Sequence, residues 1–171
     1  MNKFRFLLCI LLLFNISNEI DVEKEIIEAI YDKVILIFKG MSDSNKMECY
    51  TNFAFEKREP ILDLISKIII EYQENPSQTF FDIISKYYLT IFFTLGGEFI
   101  QNCLDRFISL YANFDDDEKR IDLIEQFGNN IYINKDLFFD ASSNFVKVRG
   151  IDEKIVLIGI IIRAITNITL I

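Results

Sequence analysis

Residues 155–171 read IVLIGIIIRAITNITLI, and the state of this closing run decides the fold. Gly150 followed by Asp152 and Glu153 has the makeup of a helix start, with acids where the positive end of the peptide dipole lies. The run is rich in β-branched residues, which costs a helix only about a few tenths of a kcal/mol per residue against Ala. A strand here would find no sheet to join, because no other segment reads as a clear strand. A helix is therefore expected, and three environments compete for it. A membrane anchor would place Arg163 near the bilayer centre at about 2.5–3.5 kcal/mol. A removable lipid-anchor signal has the right order, with small Ala141-Ser142-Ser143, a polar spacer and an apolar tail, but Arg163, Thr166, Asn167 and Thr169 count against it. A helix covered by protein, its own or a neighbouring subunit's, incurs neither objection. Ile158, Ile161, Ile162 and Ile165 are then the candidate interface residues.

At the other end, Lys3 and Arg5 precede an apolar stretch from Phe6 to Phe14, followed by small or polar residues. This is the layout of a secretory signal peptide over 1–18, too short to cross a bilayer, which needs about 20 apolar residues. An uncleaved anchor is the other reading. The remainder, 19–171, is expected to form one domain, long enough to bury a core. Losing Lys3 and Arg5 with no acid moves the formal charge from −8 to −10. Nucleic acid is excluded as a partner by that sign, and anionic lipid is disfavoured. The chain is 51% hydrophobic with 17 Phe and no Trp. Part of this excess follows the codon usage of AT-rich genomes.

Working inward, 21–41 has apolar residues every three or four positions (Val22, Ile26, Ile27, Ile30, Val34, Ile37, Phe38, Met41) before a stop at Gly40. Asn45 with Glu48 resembles a capping box for a short helix carrying Cys49, Tyr50, Phe53 and Phe55. Pro60 suits the first turn of a third helix that ends near Asn75-Pro76. A fourth, starting near Ser77 or Thr79 with Asp82 in the box position, is apolar almost all round up to Gly96-Gly97 and is expected mid-bundle. A fifth, 98–114, places Ile100, Cys103, Leu104, Phe107, Ile108 and Tyr111 on an inward face. A sixth opens on an acidic cap at 115–118 and is expected to stop at Gly128, with 131–150 irregular apart from one or two helical turns. The fold class is all-α, a compact bundle of about six to seven helices with a buried apolar C-terminal helix.

Chemistry is sparse. With no histidine the commonest general base is missing, and an enzyme is not expected. Asp115, Asp116, Asp117 and Glu118 lack the spacing of a calcium loop, Gly96-Gly97 is no phosphate cradle, and no cofactor or metal is expected. The aromatic run Phe80, Phe81, Tyr87, Tyr88, Phe92, Phe93 fits core packing, or else the wall of an apolar pocket. Asn167-Ile168-Thr169 is a glycosylation sequon, as is Asn15-Ile16-Ser17 within the signal. Once Cys9 leaves with the signal, Cys49 and Cys103 remain as one pair in an oxidising compartment, expected to bridge and to stabilise by about 4 kcal/mol. Two free buried thiols are the other reading.

The signal, the Phe38-Lys39-Gly40-Met41 helix end, Cys49, Cys103 and a Gly-containing apolar closing helix together resemble the small secreted, single-disulfide helical families of AT-rich protists such as ciliates. The resemblance implies a secreted helical domain and supplies no catalytic residues. Saposins, another secreted helical family, carry three disulfides, and this chain departs from them. The function expected is non-catalytic: assembly with copies of itself or with other extracellular proteins, the apolar inventory exceeding what one core of this size needs. Carriage of a lipid or other small apolar ligand is the alternative.

Overall fold

The computed structural model describes residues 19–41, 44–83, 85–87 and 97–169, without the side chains of 19–23, 97–100, 102, 103 and 169. The expected signal segment lies outside them. Helices α1 (Glu19–Gly40), α2 (Asn45–Glu56), α3 (Arg58–Glu74), α4 (Gly97–Asn113), α5 (Asp117–Lys147) and α6 (Ile151–Thr169) follow in order, with further helical residues at 80–83 and 85–87. No strand occurs among the described residues, and the all-α expectation holds.

Helix α1 buries Ile27, Ile30, Tyr31, Val34, Ile35 and Phe38. Tyr31 Oη reaches across to donate to the Ala54 carbonyl of α2 at 2.7 Å, so its polar tip is satisfied inside the core. The cap of α2 is Ser44, one residue before the expected Asn45, and its hydroxyl accepts from the Met47 amide. In α3 Pro60 falls in the first turn as expected, and nine residues from Ile61 to Tyr72 are buried on nearly every side. The next helix, expected mid-bundle, lies largely outside the described residues. Of that next helix, the described residues give the capping box: the Thr79 amide donates to Asp82 at 2.9 Å and the Asp82 amide to Thr79 at 3.3 Å. Ile83 is buried but Phe81 is 73% exposed; Tyr88, Phe92 and Phe93 lie outside the described residues.

The largest departure from expectation is α5, one unbroken helix of 31 residues where a stop at Gly128 and an irregular tail were expected. Gly128 is helical and exposed, its absent side chain facing open space. Glycine inside a helix costs about 1 kcal/mol, too little to end one whose second half buries Phe138, Phe139, Ala141 and Phe145 against α3 and α6. Gly128→Ala is therefore expected to raise stability by about 0.5–1 kcal/mol, read as a higher urea midpoint at unchanged slope; a drop would mean the helix needs the glycine.

Helix α6 runs back along α5 after the short connection 148–150 and also packs on α1 and α2. Ile158, Ile161 and Ile162 are fully buried, Ile165 nearly so. Gly159 lies close against α1, where a methyl group would come within 3.8 Å of Val34 and Phe38. No described helix is long and apolar enough to cross a membrane. Arg163 is exposed, its guanidinium 5.5 Å from the Tyr50 ring centre. The hydroxyls of Ser142 and Thr166 sit in this interior by donating to carbonyls one turn back, Phe138 and Ile162.

Candidate interaction surface

The charged groups inside the bundle are built into the fold. Glu71 is only 2% exposed, on the stripe of α3 shared with Leu64 and Ile68. It accepts from Lys86 Nζ at 2.7 and 2.9 Å, Tyr87 Oη at 2.5 Å and Gln78 Nε2 at 2.6 Å, fastening residues 78–87 to α3. Burial pushes its pKa up, but the bonds from Lys86, Tyr87 and Gln78 outweigh that and hold the carboxyl below the ordinary range. The same pairing raises Lys86, while burial, then the bond to Glu71, raises Tyr87. Arg58 bridges α3 to α1 through Asp32, both of whose oxygens it contacts at 2.8 Å, and Glu28, with Glu59 beside it. Every one of these groups is consumed by its neighbours.

A second polar set lies where α6 ends. Tyr50 Oη donates to Asn167 Oδ1 at 2.8 Å, Asn167 Nδ2 to Asn134 Oδ1 at 3.2 Å, and Asn130 Nδ2 to the Asn167 carbonyl at 2.8 Å. Asn167, the expected sugar acceptor, thus spends its amide nitrogen within the fold. Ile158, Ile161, Ile162 and Ile165, the candidate interface residues, supply the chain's own core and present no free face. Cys49 is exposed on α2 and is a free thiol. The expected bridge is thus not seen among the described residues, and the side chain of Cys103 lies outside them.

Two depressions, about 170 Å³ beside Phe114 and Leu123 and about 40 Å³ beside Ile69 and Phe145, are smaller than the ~300 Å³ from which ligand pockets start. No group of three or more metal-ligating side chains occurs among the described residues.

The described residues also carry exposed apolar surface. Helices α4 and α5 are joined by 114–116 and fold back on each other, with Phe107 against Phe127 (ring centres 4.8 Å apart) and Arg120 over Tyr111 (5.3 Å). Helix α6 ends beside Asn130, so the first three turns of α5 reach past it. Along α4, Leu104, Ile108 and Tyr111 recur at helical spacing; along α5, Ile121, Ile124 and Ile131 do the same. All six are exposed, Ile108 by 59% and Ile124 by 50%. Since the two helices run antiparallel, helical periodicity sets both stripes on the same side of the Phe107–Phe127 seam. The sequence placed Leu104, Ile108 and Tyr111 inward, because periodicity shows that a face is apolar but not what covers it.

No protein-family model matches this chain, and comparison with curated proteins and with solved structures gives no match.

Proposed function

We propose that this chain is a non-catalytic secreted or cell-surface protein that works by assembling with copies of itself through the α4–α5 hairpin. One observation carries the reading: the hairpin is amphipathic, and its apolar stripe of Leu104, Ile108, Ile121 and Ile124 faces water. Contiguous apolar surface of this kind on a folded protein marks an interaction site, because removing it from water yields about 25 cal/mol per Å². Export is supported by Lys3, Arg5 and the apolar stretch behind them. Light scattering on the purified protein across the micromolar range tests the assembly. An apparent mass that climbs with concentration, and stays at the monomer value in Ile121→Asp/Ile124→Asp, is the expected result. A wild-type monomer throughout retires the reading.

A further inference from the structure

Along α5 the exposed stripe of the hairpin has a symmetry of its own. Asp117, Ile121, Ile124, Gly128, Ile131 and Lys135 follow at intervals of four, three, four, three and four residues, the spacing of one helix face. The intervals run the same from either end, with Gln126 at the centre, and the chemistry pairs across that centre: acid with base, isoleucine with isoleucine, isoleucine with glycine. Five of the six are exposed, and the Lys135 side chain is 25% exposed. Gly128 is the unusual member. Glycine weakens a helix, and a side chain here would meet nothing within 4 Å, so the packing of a single chain gives no reason for it. On α4 the stripe of Leu104, Ile108 and Tyr111 is centred beside Phe107, and Phe107 packs on Phe127. Both stripes therefore have their midpoints at one level of the hairpin.

We infer that two hairpins dock face to face and antiparallel about a two-fold axis at this level, α5 on α5 and α4 on α4, closing a four-helix dimer. The inference rests on the assembly proposed above and specifies its partner surface, a second copy of the same hairpin. Pairing about residue 126 sets Ile124 of one copy over Gly128 of the other, where the missing side chain leaves room for it, and Ile121 against Ile131. It also brings Asp117 beside Lys135. Asp117 is 90% exposed in its pair with Arg120, and Lys135 has Asp136 at 3.2 Å, so these end contacts extend surface pairs and set register, while the apolar stripe supplies the affinity. The acid-rich tips at 115–118 come to lie at opposite ends of the dimer, about 27 Å apart at 1.5 Å per residue, well beyond the ~8 Å Debye length. Parallel pairing would set tip on tip. Six stripe residues about half exposed, at ~180 Å² for a large side chain, amount to on the order of 500 Å² per copy; flanking polar residues bring this toward the ~800 Å² per partner of a standard interface. Because the same face serves both copies, the contact closes at two.

Within one helix Asp117 and Lys135 are about 27 Å apart, so a zero-length carbodiimide link between them forms only between copies. Cross-linking of the full protein, with linked peptides identified by mass spectrometry, is combined with light scattering on wild type and on Gly128→Leu. The leucine finds open space in its own chain but takes the place of Ile124 from the other copy. Three results are expected: a wild-type mass that levels off at the dimer, an Asp117–Lys135 link in that dimer, and a dissociation constant at least about tenfold higher for Gly128→Leu. Circular dichroism at sub-micromolar concentration should show the variant melting no earlier than wild type, which separates lost docking from lost folding. A mass that grows past the dimer, a dimer without the Asp117–Lys135 link, or a Gly128→Leu variant that dimerises as wild type does overturns the two-fold arrangement. Assembly through the hairpin then still stands if Ile121→Asp/Ile124→Asp is monomeric. A wild type that remains monomeric overturns both.

Discussion

A chain ending at Gly150 is expected to lose its cooperative unfolding transition altogether. The deletion takes away α6, and with it Ile158, Ile161, Ile162 and Ile165, which are buried against α1, α2 and α5. Fully burying an isoleucine side chain contributes about 1.5–3 kcal/mol, and a domain is stable by only about 5–15 kcal/mol in total. Four such side chains are thus comparable with the whole margin, before counting the faces of Val34, Phe38 and Phe145 that would be bared. Circular dichroism against temperature should show a gradual slope in place of a sigmoid. A single substitution should scale accordingly: Ile161→Ala is expected to cost about 2–5 kcal/mol, whereas Ile124→Ala on the hairpin should stay within about 0.5 kcal/mol. A truncated chain that melts as sharply as the full one would show that α6 is an appendage.

Much of this architecture was legible because it follows from local chemistry. The boundary of α3 came from Pro60 and Asn75-Pro76, the box of Thr79 and Asp82 from their spacing, and the helical state of 155–169 from the lack of any strand to pair with. Misreadings arose where tertiary contact outweighed a local signal. Gly128 resembles a stop, yet the helix continues, because Asn130 and Asn134 on the next turns are bound to Asn167 of α6 and the turns beyond are buried. Ile37, Met41, Phe55 and Ile108 show the opposite limit: being apolar in register predicts a buried position only if another element arrives to cover it, and among the described residues none does. Glu71 went unnoticed for a related reason. It lies in phase with Leu64 and Ile68, which marks it as a charge on a buried stripe, but its partners Lys86 and Tyr87 come from the following segment, which no local pattern brings back to α3.

Replacing Glu71 should reveal how much that return connection matters, and the effect should depend on pH. Glu71→Gln keeps the shape but removes the negative charge to which Lys86 and Tyr87 donate. Hydrogen bonds to a charged group contribute about 1.5–3 kcal/mol each, and Lys86, half exposed, recovers part of its loss by returning to water. A net cost of about 2 kcal/mol at neutral pH is expected, with residues 78–87 loosened from α3 first. The sign with pH follows from the depressed carboxyl. A group whose folded pKa lies below its unfolded one adds stability that is complete above the ordinary glutamate range, near 4.3, and drains away as pH falls through the folded value. Asp82, held down by its bonds to Thr79, drains in the same direction, so the acid limb of wild type alone is ambiguous. Subtracting the curve of the Glu71→Gln variant removes the contribution of Asp82, which both proteins share. Urea unfolding of the two should therefore differ most at neutral pH and converge in acid, where Glu71 is protonated and glutamine becomes its close mimic. A gap that stays constant down to about pH 3, below the ordinary glutamate range, would mean that shape and neutral hydrogen bonds hold this corner of the bundle together, and that the ionised carboxylate does not.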